Sequence, residues 1–115
     1  MNYGKEDLKN LNRFDSTLSL CMRAKRLAYG FDTVKAAAER GEVFLLLTAR
    51  ELSPKTVKEV RFLAEKLSVP WLPLPHTLEE MPRVIGRKTG VIGVTDQGFA
   101  AKLTLAHNET EETIL

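Results

Sequence analysis

Hydrophobic and polar positions switch between two periods along the chain, and the switches divide it into elements. Residues 1–13 are mostly polar and predict a flexible N-terminal arm or a poorly packed first turn. Asp15 or Ser16 is placed to cap a helix through about Lys25, with Leu18, Cys21 and Met22, joined by Phe14, on the buried face. Leu27, Ala28 and Tyr29 then make a very short strand ending at Gly30. A second helix is predicted from about Asp32 to Arg40, with Val34, Ala37 and Ala38 inward. Lys35 and Glu39 can pair across one turn of it, and Gly41 is a good stop.

Val43 to Thr48 is nearly continuously apolar, the mark of a strand covered on both faces. Ser53 before Pro54 reads as a helix start, and Val57, Val60, Leu63, Ala64 and Leu67 keep helical spacing to about Ser68. A third strand, Val69 to Leu74, contains Pro70 and Pro73 and so belongs near a sheet edge. Thr77 and Glu80 have capping-box spacing. Pro82 would remove a hydrogen bond inside a helix, so the regular helix is predicted to begin near Met81 with Pro82 in its first turn. Gly86 to Gly90 is a short basic loop, Val91 to Thr95 a fourth strand, and Asp96 the cap of a last helix holding Phe99, Leu103 and Leu105. Residues 107–115 show no periodicity and predict a disordered acidic tail. Strands separated by helices imply an α/β fold: one domain over residues 14–106, a three-layer α/β/α sandwich around a central four-stranded mixed sheet.

Composition narrows the function classes. A length of 115 residues gives a prior of one domain, and 43% hydrophobic with 28% charged residues is ordinary for a globular chain, not a disordered one. The single cysteine, Cys21, excludes an intrachain disulfide or a zinc ribbon. The first ten residues lack an apolar signal core, and the longest clean apolar run, Val43 to Leu47, is far short of the ~20 residues that span a bilayer. The chain reads as soluble and cytoplasmic, with no membrane partner. Its formal charge is +2, but Glu109, Glu111 and Glu112 sit in the last seven residues, leaving seventeen basic against twelve acidic residues elsewhere. Such a basic body suits an anionic partner, RNA or DNA being the commonest kind.

The sequence offers no catalytic constellation. Gly86-Arg87-Lys88-Thr89-Gly90 lacks the glycine spacing of a phosphate-cradling loop, and Gly30 stands alone where a dinucleotide fingerprint needs three glycines. His76 and His107 are far apart; His76, in a proline-rich turn, reads as a solvated or locally bonded imidazole. Cys21 lies on an apolar helix face and reads as packing. Glu79 and Glu80, adjacent at a helix start, read as capping carboxylates. No catalytic residue, metal or cofactor is expected.

Leu20-Cys21-Met22-Arg23-Ala24-Lys25-Arg26-Leu27, then Gly30, Val34-Lys35-Ala36, Arg40-Gly41 and the apolar strand resemble the ribosomal protein L7Ae superfamily, which includes the L30e proteins and small bacterial relatives. Ile85-Gly86-Arg87, Val91 to Thr95 and Asp96-Gln97-Gly98-Phe99-Ala100 are similar to the closing strand and helix of the bacterial branch. The resemblance runs from about Leu18 to Leu103. It implies a non-enzymatic α/β/α protein that binds the kink-turn, a sharply bent RNA internal loop. It also implies two RNA-contacting surfaces: the start of the second helix with the strand before it, and the loop before the last strand.

Carried onto this chain, the first surface is Gly30, Phe31, Asp32, Thr33, Lys35 and Ala36, with Lys25 and Arg26 upstream; the second is Arg87, Lys88, Thr89, Gly90, Val91 and Ile92. A helix N-terminus offers unpaired amides to phosphate, and a basic loop ending in apolar residues can contact phosphates and exposed bases. Phe31 can either stack on a base or staple the helix to the core. Kink-turn binders carry Asn-Glu and, a turn later, Lys where this chain has Asp32-Thr33 and Ala36. Asp32 still accepts from a guanine edge but repels phosphate, and Lys35 points about 100° away around the helix from the position of the family's lysine. The leading expectation is therefore a partner of structured RNA, ribosomal RNA included. The alternative is a protein-interaction module on the same fold; a small-molecule site would require a deep pocket.

Overall fold

A computed structural model describes the backbone of residues 4–114 and the side chains of residues 13–109. The elements are α1 (Gly4–Arg23), β1 (Leu27–Tyr29), α2 (Phe31–Glu39), β2 (Leu45–Arg50), α3 (Pro54–Leu67), β3 (Trp71–Thr77), a 3-10 turn (Leu78–Glu80), α4 (Met81–Ile85), β4 (Val91–Val94) and α5 (Gln97–Ile114). The sheet has the order β1-β4-β2-β3, with β4 antiparallel to both of its neighbours and β2 parallel to β3. The fold is the α/β/α sandwich on a mixed four-stranded sheet.

The central strand β2 explains the two outer layers. Leu45, Leu47 and Ala49 point to a core shared with Phe14, Leu18, Cys21, Met81, Ile85 and Leu103, under α1, α4 and α5. Leu46 points the other way, to Val34, Ala37, Val60 and Leu63 under α2 and α3. A strand apolar on both faces can only be satisfied between two helical layers. Thr48, fully buried on the second face, accepts a hydrogen bond on its Oγ1 from the Trp71 indole N–H at 3.0 Å. Gly93 in β4 lets α2 close on the sheet: a Cβ there would stand 3.1 Å from a Val34 methyl and 3.2 Å from Val43.

Local chemistry sets the boundaries. Ser53 caps α3, its Oγ accepting from the Thr56 amide at 3.2 Å, with Pro54 in the first turn. Glu80 accepts from the Thr77 amide at 2.9 Å, and Asp96 accepts from the Phe99 amide at 2.8 Å to start α5. β3 is an edge strand, as its prolines predict. No helix among the described residues is long and apolar enough to cross a membrane.

Four expectations are corrected. The backbone is already helical from Gly4, not from Asp15, so residues 4–13 belong to α1; residues 1–3 and the side chains through 12 lie outside the described residues. α5 runs on to Ile114 where a disordered tail is predicted. Ala106 is buried, His107 meets the Phe14 ring edge-on at 6.4 Å, and Arg13 pairs with Glu109 at 2.6 Å, so α1 supplies the partners that the tail's own sequence does not advertise. Residue 115 lies outside the described residues, as do the side chains of 110–114. Leu105 is exposed, and Ala106 takes the inward position. The main partner of His76 is not local: its Nε2 lies 2.9 Å from Asp15 Oδ1, 61 residues away, while its Nδ1 keeps a looser local pair with Glu80 at 4.0 Å, and Asp15 is a mid-helix residue and not a cap. That bond holds the His76 pKa above its ordinary value against the opposing effect of burial.

Candidate nucleic-acid interface

The antiparallel pairing of β1 with β4 decides where the two sequence-predicted surfaces lie. Tyr29 pairs with Ile92, and the Gly30 amide donates to the Val91 carbonyl at 2.9 Å. The start of α2 and the end of the basic loop are thus bonded to each other. The Ala49 amide donates to the Gly90 carbonyl at 2.9 Å, tying the end of β2 to the same loop, and Leu52 packs against Gly90. One pole of the molecule therefore gathers Gly30 to Lys35, Gly86 to Gly90 and the ends of β1 and β2.

Within this pole the backbone is conditioned for close approach. Gly30 has φ +90°, a value that side chains disfavour, and nothing lies within 4 Å of where its Cβ would be. It is the N-cap of α2, so no side chain caps the helix, whose first amides face outward beside exposed Asp32 and Thr33. That is a phosphate-accepting arrangement, with Asp32 as a competing carboxylate. Lys35 and Ala36 are exposed; the expected Lys35–Glu39 pair is not among the ion pairs of the described residues. Phe31 is half-buried against the α2–α3 core, which is the staple arrangement and not an open stacking face.

The loop is anchored at both ends. Gly86 closes α4 in the left-handed conformation. Arg87, exposed, lays its guanidinium over the Tyr29 ring at 4.2 Å from the centroid. Burial pushes the Tyr29 phenol pKa up, and the Arg87 charge acts against it. Lys88 reaches Glu79 at 3.2 Å, both side chains well exposed. Thr89 is half-buried, its hydroxyl donating to the Val91 carbonyl at 3.4 Å.

Other predicted residues are not brought to this surface. Val91 and Ile92 are 4% and 0% exposed; alternation sends one side chain into each core, so only their backbone borders the pole. Lys25 and Arg26 sit before β1, at its opposite end from Gly30, about 13 Å away at ~3.3 Å per residue. Lys25 ends α1 in the left-handed conformation, φ 61°, its amide donating to the Met22 carbonyl at 2.9 Å while the Arg26 amide donates to Cys21 at 3.0 Å. The cations there complement the negative end of a twenty-residue helix.

Two residues at the pole escaped the sequence reading. Tyr29 carries a legible signal, an aromatic directly before a turn glycine, but its partnership with Arg87 depends on strand order. Arg50 ends β2 next to the Gly90 contact and, with Arg83, helps hold the Glu80 carboxyl below its usual range, after the larger effect of the Thr77 amide. Cys21 is buried packing, its thiol pushed up to about 12 by burial. Among the described residues no three metal-ligating side chains cluster, and the apolar groove beside Phe44, Pro70 and Leu105 is an open one at the other pole.

The fold agrees with what the chain is similar to. The profile of the Ribosomal protein L7Ae/L30e/S12e/Gadd45 family matches residues 12–104. The chain belongs to this family. It is 33% identical over 91 residues to the RNA-binding protein YlxQ of Bacillus subtilis (strain 168), a match covering 75% of this chain and 86% of that one. Among solved structures, a protein of unknown function from Bacillus halodurans C superposes with TM-score 0.78 at 28% identity, covering 83% of this chain and 96% of its own. A 15.5kD RNA binding protein of Giardia lamblia superposes with TM-score 0.71 at 14% identity over 97% of this chain and 94% of its own, which shows the shared fold.

Proposed function

We propose that this L7Ae-family chain is a non-enzymatic, cytoplasmic RNA-binding protein that docks a bent, kink-turn-like RNA, ribosomal RNA among the candidates, on the pole formed by Gly30, Asp32, Thr33, Lys35, Arg87, Lys88 and Thr89. The observation that carries the reading is the Gly30–Val91 hydrogen bond, which fuses an uncapped helix start to a cationic loop. Family membership and the likeness to an RNA-binding protein support it. The helix amides and Lys35 take phosphate, Arg87 presents its guanidinium plane on the Tyr29 ring, and the Asp32 carboxylate accepts from a base edge. The Lys88–Glu79 pair is exposed and weak enough to open when phosphate replaces the carboxylate. Lys25 and Arg26 stay outside this footprint.

A gel-shift titration against a kink-turn RNA and a straight duplex of matched length tests the proposal. The bent RNA is expected to bind more tightly, and Arg87→Ala with Lys88→Ala to weaken binding of every RNA tried. Binding of neither RNA would favour the protein-partner alternative.

A further inference from the structure

Among the described residues one large aromatic ring stands exposed far from any turn: Phe62 on α3, 66% accessible. A helix advances 100° per residue, and on that count Lys55, Lys58, Phe62 and Lys66 fall within one 80° stripe on the solvent face of α3. All four are exposed, and none of the three lysines joins an ion pair among the described residues. Glu59 and Glu65 border the stripe without interrupting it. Arg61 lies outside it and turns back over the Trp71 ring at 5.3 Å.

The position of the stripe gives it meaning. α3 leaves the pole described above: Leu52, just before its cap Ser53, packs on Gly90. Lys55 therefore stands three residues after the Gly90 contact, at the pole end of α3, and the stripe runs away from that end for roughly 17 Å to Lys66. At ~3.4 Å per nucleotide along a strand, that length matches about five nucleotides. Cations that track a backbone, with an aromatic face among them, are the arrangement that holds single-stranded nucleic acid by charge and base stacking. An apolar protein ligand would need neighbours for Phe62 on its own face, and the stripe offers lysines instead.

We infer that the outer face of α3 is a second RNA contact, which takes an unpaired strand leaving the Gly30–Gly90 pole, its phosphates on Lys55, Lys58 and Lys66 and one base stacked on Phe62. The inference rests on the RNA-binding reading of the pole and extends its footprint onto a separate helix.

The test compares three RNAs by fluorescence anisotropy: a blunt kink-turn hairpin and the same hairpin with a six-nucleotide single-stranded extension at its 5′ or its 3′ end. One extension is expected to tighten binding about tenfold. Phe62→Ala is expected to remove most of that increment, since a stacked base is worth about 1–3 kcal/mol, or roughly 5- to 150-fold; Phe62→Trp is expected to keep it. Lys55→Ala, Lys58→Ala and Lys66→Ala together are expected to lower the salt slope for the extended RNA by about 2, at ~0.7 per phosphate contact on a single strand. All these variants lie on an exposed face, and each is expected to melt as the wild type does and to bind the blunt hairpin unchanged. If the blunt RNA binds and neither extension adds affinity, or the increment survives both sets of substitutions, the α3 contact is wrong and the pole reading stands. If the blunt RNA itself fails to bind, the pole reading falls and takes the α3 contact with it.

Discussion

Tyr29 and Arg87 show how a side chain of the proposed interface is held in place by a neighbouring ring. An exposed arginine has several soft torsions, and a ring face 4.2 Å from its guanidinium carbon limits them. Tyr29→Leu keeps an apolar side chain but removes the ring and its quadrupole, and is expected to weaken RNA binding about 2- to 5-fold, the equivalent of ~0.5–1 kcal/mol. Tyr29→Phe is expected to bind as the wild type does. Lys25 gives the opposite contrast. It occupies a left-handed position that glycine tolerates better, so Lys25→Gly is expected to raise stability by about 1 kcal/mol, read as a higher melting temperature. Because Lys25 lies at the far end of β1, RNA affinity is expected not to change. The His76–Asp15 contact adds a pH dependence. His76 has a raised pKa, so its contribution is complete below its ordinary value of 6.5 and disappears as pH rises through the raised one. Asp15→Asn is expected to flatten that decline in stability as pH rises above 6.5 in thermal melts. Glu80, with its lowered pKa, changes charge only at acid pH, outside this window.

At the scale of elements, the close approach of α2 to the sheet is the feature most sensitive to size. Gly93→Val would drive methyls into Val34 and Val43 and is expected to cost about 1–3 kcal/mol in denaturant unfolding. Most elements were legible because local rules and global packing agree in them. Ser53-Pro54, Thr77 with Glu80, and Asp96 each mark a boundary through a bond within a few residues, Pro82 marks one by its missing donor, and the structure contains those turns. The two long helices extend further at their outer ends than their local pattern predicts, because there they pack on each other. Residues 107–109 have no helical stripe of their own, yet Phe14 and Arg13 give His107 and Glu109 something to meet. The same limit hid the Asp15–His76 pair, which joins α1 to β3. The composition of β2, apolar on both faces, announced the three layers directly.

For the molecule as a whole, sheet order decides which sequence features meet. The sequence could mark a glycine before a helix and a basic loop before a strand; only the order β1-β4-β2-β3 puts them side by side. That order also separates Lys25 and Arg26 from Gly30, and alternation buries Val91 and Ile92, two outcomes that no local motif encodes. With Lys35, Arg87 and Lys88 on phosphates, log affinity for a blunt RNA is expected to fall against log salt with a slope of about −2 to −3. The central claim is one of place, and mapping backbone amide shifts while adding a kink-turn RNA tests it most directly. The largest changes are expected at Gly30 to Thr33 and Gly86 to Gly90, with Ala24 to Arg26 and Thr95 to Gln97 nearly still. Changes concentrated around Ala24 to Arg26 and Thr95 to Gln97, with the Gly30 and Gly90 amides unmoved, would contradict it.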